Sequence, residues 1–120
     1  MSGVTGIAML GCGYVANMYR LTLAGHPRLK LVAVHDRERS RAETMARLTG
    51  ARTAPDLDAL CADPEVRIVL NLTNPREHYA TTKRLLEAGK HVYTEKPVAM
   101  DYAEAKALAA LAQAKGLMLT

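Results

Sequence analysis

Tryptophan and phenylalanine are absent from the 120 residues, and only two cysteines occur. Cys12 and Cys61 are too few for a disulfide framework or a zinc cage, so we expect no metal site and a reducing, cytoplasmic location. No apolar run approaches the roughly 20 residues that a membrane span requires. The segment 1–6 lacks the basic run that begins a secretory signal. These absences argue against secreted disulfide-rich and membrane-spanning proteins.

The net charge is +4, which by itself would suit a nucleic-acid partner. The basic residues are scattered, however, and the densest group, Arg37, Arg39 and Arg41, alternates with other residues. Neither tryptophan nor phenylalanine is available to stack on bases. We therefore expect no nucleic-acid partner, because an anionic small ligand accounts for the charge equally well.

Apolar segments of strand length alternate with amphipathic segments of helix length. Strands are predicted over 4–10, 30–35, 51–54, 67–73 and 91–93, a sixth begins at 117, and helices are predicted over 14–24, 38–49, 57–62, 75–88 and 102–115. Short strands that are apolar along their whole length are typical of a parallel sheet covered by helices on both faces. The sequence thus predicts one α/β domain over 1–120, a doubly wound parallel sheet of the Rossmann type with strand order 3-2-1-4-5-6.

The turn between the first strand and the first helix reads Gly11-Cys12-Gly13-Tyr14-Val15-Ala16. Gly11 permits a tight turn, Gly13 lets the backbone approach a pyrophosphate, and Ala16 lets the helix pack closely on the strand. The beginning of the helix points unpaired N–H groups and a positive dipole end at the phosphates. We predict that these six residues bind the pyrophosphate of a dinucleotide.

Asp36, at the end of the second strand, predicts which dinucleotide is bound. A carboxylate there accepts hydrogen bonds from the adenine-ribose hydroxyls and repels a 2′-phosphate, which favours NAD over NADP. The guanidinium of Arg37 could instead bind that phosphate, or Arg37 could be an exposed residue at the start of a helix. We expect NAD, and NADP stays possible.

Three segments taken together resemble the Gfo/Idh/MocA family, the glucose–fructose oxidoreductase and inositol dehydrogenase relatives. They are the turn just described, Thr73-Asn74-Pro75-Arg76-Glu77-His78 after the fourth strand, and Glu95-Lys96-Pro97 after the fifth. The turn is common to Rossmann proteins, whereas Glu-Lys-Pro after His-Val-Tyr-Thr is far more specific. The resemblance covers essentially the whole chain, as the N-terminal half of a typical member.

This resemblance implies an NAD(P)-dependent oxidoreductase that acts on sugars, cyclitols or related alcohols and carbonyls by hydride transfer. It also implies a second α/β domain, outside this sequence, that carries much of the substrate pocket, the oligomer interface and the usual Asp and His catalytic pair. We therefore expect a small polyol-like or sugar-like substrate, a homo-oligomer formed only with that second domain, and no activity from these 120 residues alone.

The candidate residues follow four different strands, at the carboxyl ends where Rossmann ligands bind. Thr73, Asn74 and Pro75 are predicted to line the pyrophosphate and the nicotinamide ribose, although Asn74 could simply cap its helix. His78, one helical turn further, is predicted to touch the ribose or the substrate, and the alternative is an ordinary histidine on a helix surface.

Lys96 is the main candidate for chemistry. Oxidising an alcohol by hydride transfer requires its hydroxyl proton to leave, and a lysine beside the substrate oxygen can hydrogen-bond that oxygen or relay the proton. With the resemblance, Lys96 and His78 are the catalytic candidates, and Glu95 and Lys96 also contact the nicotinamide end. Without the resemblance, Glu95 and Lys96 are interpreted as a solvated turn before Pro97.

Two other functions compete with the oxidoreductase. A non-catalytic dinucleotide-binding sensor or regulator would share the fold, but the presence of both Lys96 and His78 favours an enzyme. A different Rossmann enzyme, such as an amino-acid or semialdehyde dehydrogenase, is disfavoured by the Glu95-Lys96-Pro97 segment. Fold alone does not decide among these functions.

Overall fold

The computed structural model of the protein describes residues 3–120, and strands and helices alternate along it in the predicted order. The strands are β1 (Thr5–Leu10), β2 (Leu29–His35), β3 (Arg52–Thr53), β4 (Ile68–Asn71) and β5 (His91–Thr94). The helices are α1 (Tyr14–Leu23), α2 (Arg39–Thr49), α3 (Leu57–Ala62), α4 (His78–Glu87) and α5 (Tyr102–Lys115). A 3₁₀ turn, Pro75–Glu77, leads into α4.

The five strands form one parallel sheet in the order β3-β2-β1-β4-β5, which confirms the prediction over these strands. Leu119 makes a parallel bridge to Val92 of β5. Thr120 N–H donates to the Val92 carbonyl at 3.1 Å, and Val92 N–H donates to the Met118 carbonyl at 2.9 Å. Because the other side of β5 is occupied by β4, this bridge lies where the sixth strand is predicted.

Helices cover both faces of the sheet. Successive residues of each strand point to opposite sides, so each strand contributes side chains to both layers. On one face, Ala8, Leu10 and Val69 pack with residues of α3, α4 and α5. On the other face, Ile7, Met9, Val34 and Leu70 pack with residues of α1 and α2. The largest buried side chains, among them Met9, Leu60, Leu85, Leu86 and Leu108, form these two layers. This arrangement confirms the doubly wound prediction.

Some element ends differ from the sequence-based prediction, and side-chain hydrogen bonds account for them. The fourth strand stops at Asn71 rather than at residue 73, because the Asn71 side-chain oxygen accepts from the hydroxyl and the N–H of Thr73. The helix predicted from Pro75 begins instead as a 3₁₀ turn, with Asn74 Oδ1 accepting from Arg76 N–H at 3.2 Å. Among residues 3–120, no helix combines the length and the apolar composition needed to cross a bilayer.

Candidate functional site

A cleft of about 620 Å³ opens at the carboxyl ends of β1, β2 and β4. These ends lie at one edge of the sheet because the strands are parallel. The chain leaves β1 and β4 in opposite directions and so opens a crevice between them. Ligands of doubly wound sheets bind in such a crevice. Six predicted residues line the cleft: Gly11, Gly13, Asp36, Arg37, Thr73 and Asn74. The other lining residues are Leu10, His35, Glu38, Arg41, Leu57, Leu72, Glu77 and Thr81.

The two glycines of the turn are needed for different reasons. Gly11 has a φ of 97°, and a Cβ there would lie 2.6 Å from the Leu72 carbonyl oxygen, so the fold itself requires glycine. Gly13 has a φ of −84°, which any residue adopts, and a Cβ there would meet no atom of residues 3–120 within 4 Å. The space beside Gly13 is therefore open to a ligand, as the sequence predicts.

The start of α1 faces this open space with its backbone donors free. Gly13 provides no side-chain cap, and the first turn contains no acidic residue. Within residues 3–120, no hydrogen-bond partner satisfies the N–H groups of Tyr14, Val15 and Ala16. The side chains of Tyr14 and Val15 are exposed, whereas Ala16 is fully buried against the sheet. An uncapped helix end of this kind attracts an anion.

Cys12 contributes its backbone to the turn rather than a reactive thiol. The side chain is buried, and its Sγ lies 3.5 Å from the His35 carbonyl oxygen. Burial, with a smaller contribution from the charge of Asp36, raises the pKa of the Cys12 thiol to about 12. At neutral pH the thiol stays protonated, although it sits next to the beginning of a helix.

Asp36 connects the turn to the end of β2. Its Oδ2 accepts from the Cys12 N–H at 2.7 Å, and its Oδ1 accepts from the Glu38 N–H at 2.7 Å. A carboxylate has about four acceptor sites, so each oxygen keeps capacity for one more donor. The carboxylate is thus fixed in place and can still accept from ribose hydroxyls.

Two charged side chains meet across the mouth of the cleft. The Arg37 guanidinium, which is highly exposed, pairs with the Glu77 carboxylate, and Glu77 Oε2 accepts from Asn74 Nδ2 at 2.8 Å. Arg41, also in the lining, pairs with Glu38 at 3.2 Å. Asn74 therefore caps the 3₁₀ turn and also holds a cleft side chain. The sequence interpretation missed Glu77 as a lining residue, because its partner Arg37 is far away along the chain.

Asn71 is a buried polar residue that sequence reasoning also missed. Its Nδ2 donates to the Thr81 and Thr82 hydroxyls at 2.8 and 2.9 Å, and its Oδ1 accepts from the Thr73 hydroxyl at 2.8 Å. These bonds fix the Thr73 backbone at the edge of the cleft. The available signal was an asparagine inside the apolar run of 67–73, since a buried amide requires partners.

His78 lies outside the cleft lining and is buried, with 1% of its surface exposed. Its Nε2 contacts the Thr73 carbonyl oxygen at 2.8 Å, and its Nδ1 contacts the Pro97 carbonyl oxygen at 2.5 Å. Both ring nitrogens are committed to backbone oxygens, so this geometry leaves no nitrogen for a ribose or a substrate. The alternative of an ordinary surface histidine is excluded by the burial.

Glu95, Lys96 and Pro97 form an irregular loop after β5, and none of them lines the cleft. The Tyr19 hydroxyl of α1 donates to Glu95 Oε2, and the rings of Tyr19 and Tyr93 pack edge to face at 5.8 Å. Burial and the bond to Glu95 raise the pKa of Tyr19. The Lys96 side chain is exposed, and among the ion pairs of residues 3–120 it has no carboxylate partner.

The structure therefore brings Gly11 and Gly13 of the turn together with Asp36, Arg37, Thr73 and Asn74 around one cleft, whereas Cys12, Tyr14, Val15 and Ala16 lie outside its lining. Pro75 lies on its 3₁₀ turn beside Asn74, outside the lining. His78 contacts Thr73 at the edge of the cleft and Pro97 in the loop after β5, and Glu95 and Lys96 precede Pro97 in that loop. The roles of all these residues toward a ligand stay predictions.

Comparison with known proteins identifies the family. Residues 5–120 match the family model of Gfo/Idh/MocA proteins, described as an oxidoreductase family with an NAD-binding Rossmann fold. The chain is 36% identical to inositol 2-dehydrogenase of Acidothermus cellulolyticus over 78% of its length, which covers 28% of that protein.

Two crystal structures are similar over nearly the whole chain. GenD2 from gentamicin A biosynthesis, in complex with NAD, superposes with a TM-score of 0.95 at 32% identity and covers 98% of this chain. Biliverdin reductase from Synechocystis sp. PCC 6803, in complex with biliverdin and NADP⁺, superposes with a TM-score of 0.90 at 34% identity and covers 96%. The chain spans 34% and 36% of these two proteins. It belongs to the Gfo/Idh/MocA oxidoreductase family, whose NAD-binding Rossmann domain it comprises.

Proposed function

We propose that this chain binds NAD, or less readily NADP, in the cleft and serves as the cofactor domain of an oxidoreductase for sugars, cyclitols or related alcohols and carbonyls. The observation that carries the proposal is the open space at Gly13 next to the uncapped start of α1. A glycine that the backbone does not require, beside free N–H donors, suits a pyrophosphate that must approach the main chain.

The residues present fit such a cofactor. The segment Gly11–Ala16 would hold the pyrophosphate, Asp36 would accept from the adenine-ribose hydroxyls, and Thr73 to Pro75 would border the ribose on the nicotinamide side. When bound, the nicotinamide supplies the ring that accepts or donates a hydride. Inositol 2-dehydrogenase is named for a cyclitol substrate, which supports the substrate class.

Lys96 is our candidate for the catalytic residue. Its side chain is exposed and forms no ion pair with a carboxylate of residues 3–120, so Nζ is available to a substrate oxygen. There the ammonium would donate a hydrogen bond to the substrate oxygen, giving up its proton to that oxygen when a carbonyl is reduced, and the resulting neutral amine would take the proton back when an alcohol is oxidised.

His78 is better described as a positioning residue than as a catalytic one. It joins the Thr73 carbonyl at the cleft to the Pro97 carbonyl next to Lys96. Glu95 is held from the other side by Tyr19. Together these contacts would orient Lys96 relative to the cofactor.

The whole protein would use further parts. We expect a second domain to complete the pocket for a small polyol-like or sugar-like substrate and to form the homo-oligomer. We keep the predictions of a reducing cytoplasm, which suits two free cysteines, and of no nucleic-acid partner.

The test is a fluorescence titration of the 120-residue protein with NADH and, separately, with NADPH. We expect saturable binding of NADH that is displaced by ADP-ribose, because the pyrophosphate and adenosine carry the contacts described. Binding of neither dinucleotide would contradict the proposed function.

A further inference from the structure

We infer that Glu77 is a specificity-determining residue that makes this cleft select NAD over NADP, by pairing with Arg37, the arginine next to Asp36 that could otherwise receive a 2′-phosphate. The inference rests on the proposed function. Arg37 directly follows Asp36 at the end of β2 and lines the cleft. An arginine near this position is what accommodates the 2′-phosphate of NADP in Rossmann domains. The sequence by itself therefore leaves both cofactors open.

Glu77 lies on the opposite wall of the cleft and favours NAD by pairing with Arg37. It stands on the 3₁₀ turn after β4, and one carboxylate oxygen pairs with the Arg37 guanidinium. The other oxygen accepts from Asn74 Nδ2 at 2.8 Å, while Asn74 Oδ1 accepts from the Arg76 N–H. Glu77 is thus held at both oxygens, and its side chain is 26% exposed against 77% for Arg37. The more buried partner, held by two contacts, fixes the position of the more exposed one.

The other charged residues of the cleft lining also disfavour a 2′-phosphate. The lining carries the carboxylates of Asp36, Glu38 and Glu77 against the guanidiniums of Arg37 and Arg41. Arg41 is paired with Glu38 at 3.2 Å, so both arginines of the lining are engaged by carboxylates. A phosphate monoester carries nearly two negative charges at neutral pH. A 2′-phosphate would meet a net negative lining with no free guanidinium, whereas the ribose hydroxyls of NAD require only acceptors.

The experiment compares NADH and NADPH affinity in four proteins: wild type, Glu77→Gln, Arg37→Gln and the double variant. Glutamine keeps the size of Glu77 and an acceptor for Asn74 but removes the charge that holds Arg37. We expect Glu77→Gln to tighten NADPH binding about tenfold, because a charge-assisted contact to phosphate becomes available. NADH affinity should change less than about twofold, since its hydroxyls need no cation.

Arg37→Gln tests the inference without altering Glu77. If Glu77 already occupies Arg37, its loss changes NADPH affinity less than about twofold, and the double variant loses the gain of Glu77→Gln. The matched control is Glu43→Gln, which removes an equal charge from an ion pair with Arg39 on α2, outside the cleft lining. It should leave both affinities unchanged.

The outcomes separate the two claims. Normal NADH binding with an unchanged NADPH affinity in Glu77→Gln overturns the inference and leaves the cofactor site intact. An equal gain in the double variant overturns it too, because the effect would then be one of general charge. Wild-type protein that binds neither dinucleotide overturns the proposed function and this inference with it.

Discussion

At the scale of single residues, the turn shows that one sequence pattern can serve two physical needs. Gly11 is required by the protein, through its positive φ and the nearby Leu72 carbonyl. A Cβ at Gly13 would contact no atom of residues 3–120, so the fold does not require glycine there. The spacing of the two glycines predicts the turn, and only the surroundings of each Cα separate folding from binding.

Alanine at Gly13 should therefore affect cofactor binding, whereas alanine at Gly11 should affect stability. We expect Gly13→Ala to leave the melting temperature within about 1 °C and to weaken NADH binding at least tenfold, because the methyl group fills the space for the pyrophosphate. Gly11→Ala should destabilise the fold by more than about 1 kcal/mol, because it adds strain at positive φ to a backbone clash. Thermal melts and NADH titrations of both variants measure this, and an undiminished affinity in Gly13→Ala would refute the assignment.

The Cys12 thiol supplies a second prediction at this scale. Its pKa is raised to about 12, so the folded state favours the protonated form. That stabilisation is fully present below the thiol's ordinary pKa, near 9, and is lost as the pH rises toward 12. We expect the free energy of unfolding to fall less steeply above pH 9 in Cys12→Ala than in wild type. Urea titrations at pH 8 and pH 10.5 test this, and parallel declines would contradict it.

At the scale of elements, the loops after β4 and β5 act as one unit because His78 joins them. The ring spans the Thr73 and Pro97 carbonyls, and the adjoining Asn71 amide holds Thr73 to α4. β4 and β5 end at one edge of the sheet, and the side chains of His78 and Asn71 determine the path that each loop takes afterwards.

Removing the imidazole should loosen both loops. We expect His78→Ala to lower the free energy of unfolding by about 2–4 kcal/mol, because it leaves a cavity and removes the hydrogen bond that the ring donates to a backbone carbonyl. Urea denaturation measures the loss, and His26→Ala, at an exposed histidine, is the control with an expected effect below about 0.5 kcal/mol. Equal stability of the two variants would exclude a positioning role for His78.

At the scale of the whole molecule, we propose that these 120 residues bind the cofactor and that a second domain completes the substrate pocket. The described residues carry the turn, Asp36 and the exposed Lys96, while the chain spans only about a third of the structures it resembles. We therefore expect cofactor binding and turnover to be separable by mutation, and we propose that Lys96 contributes to turnover.

Lys96→Ala in the longer protein should distinguish them. We expect kcat with a polyol substrate and NAD to fall about 10²–10⁴-fold, as for the loss of a proton-transfer group. NADH affinity, measured by fluorescence in the same preparation, should change less than about threefold. Lys83→Ala, at an exposed lysine of α4 paired with Glu87, is the matched control. A parallel loss of affinity and turnover would assign Lys96 to cofactor binding alone.

Much of the fold was accessible from the sequence because its signals are local. Strand and helix periodicity, the glycines of the turn and the acidic residue after β2 lie in short segments, and parallel strands bring their carboxyl ends to one edge whatever the loops do. The Gfo/Idh/MocA resemblance rested on such segments as well. By contrast, the burial of His78 and the cleft position of Glu77 have no local signature.

The chain order of strands and helices, and the turn that opens α1, were thus determined by the sequence alone. The contacts to which we attribute specificity and positioning form only in the tertiary structure. Tyr19 and Glu95 are 76 positions apart, Arg37 and Glu77 are 40 apart, and His78 and Pro97 are 19 apart. No propensity or spacing rule connects residues at such separations, because each pair meets only after the sheet has assembled and placed its loops at one edge.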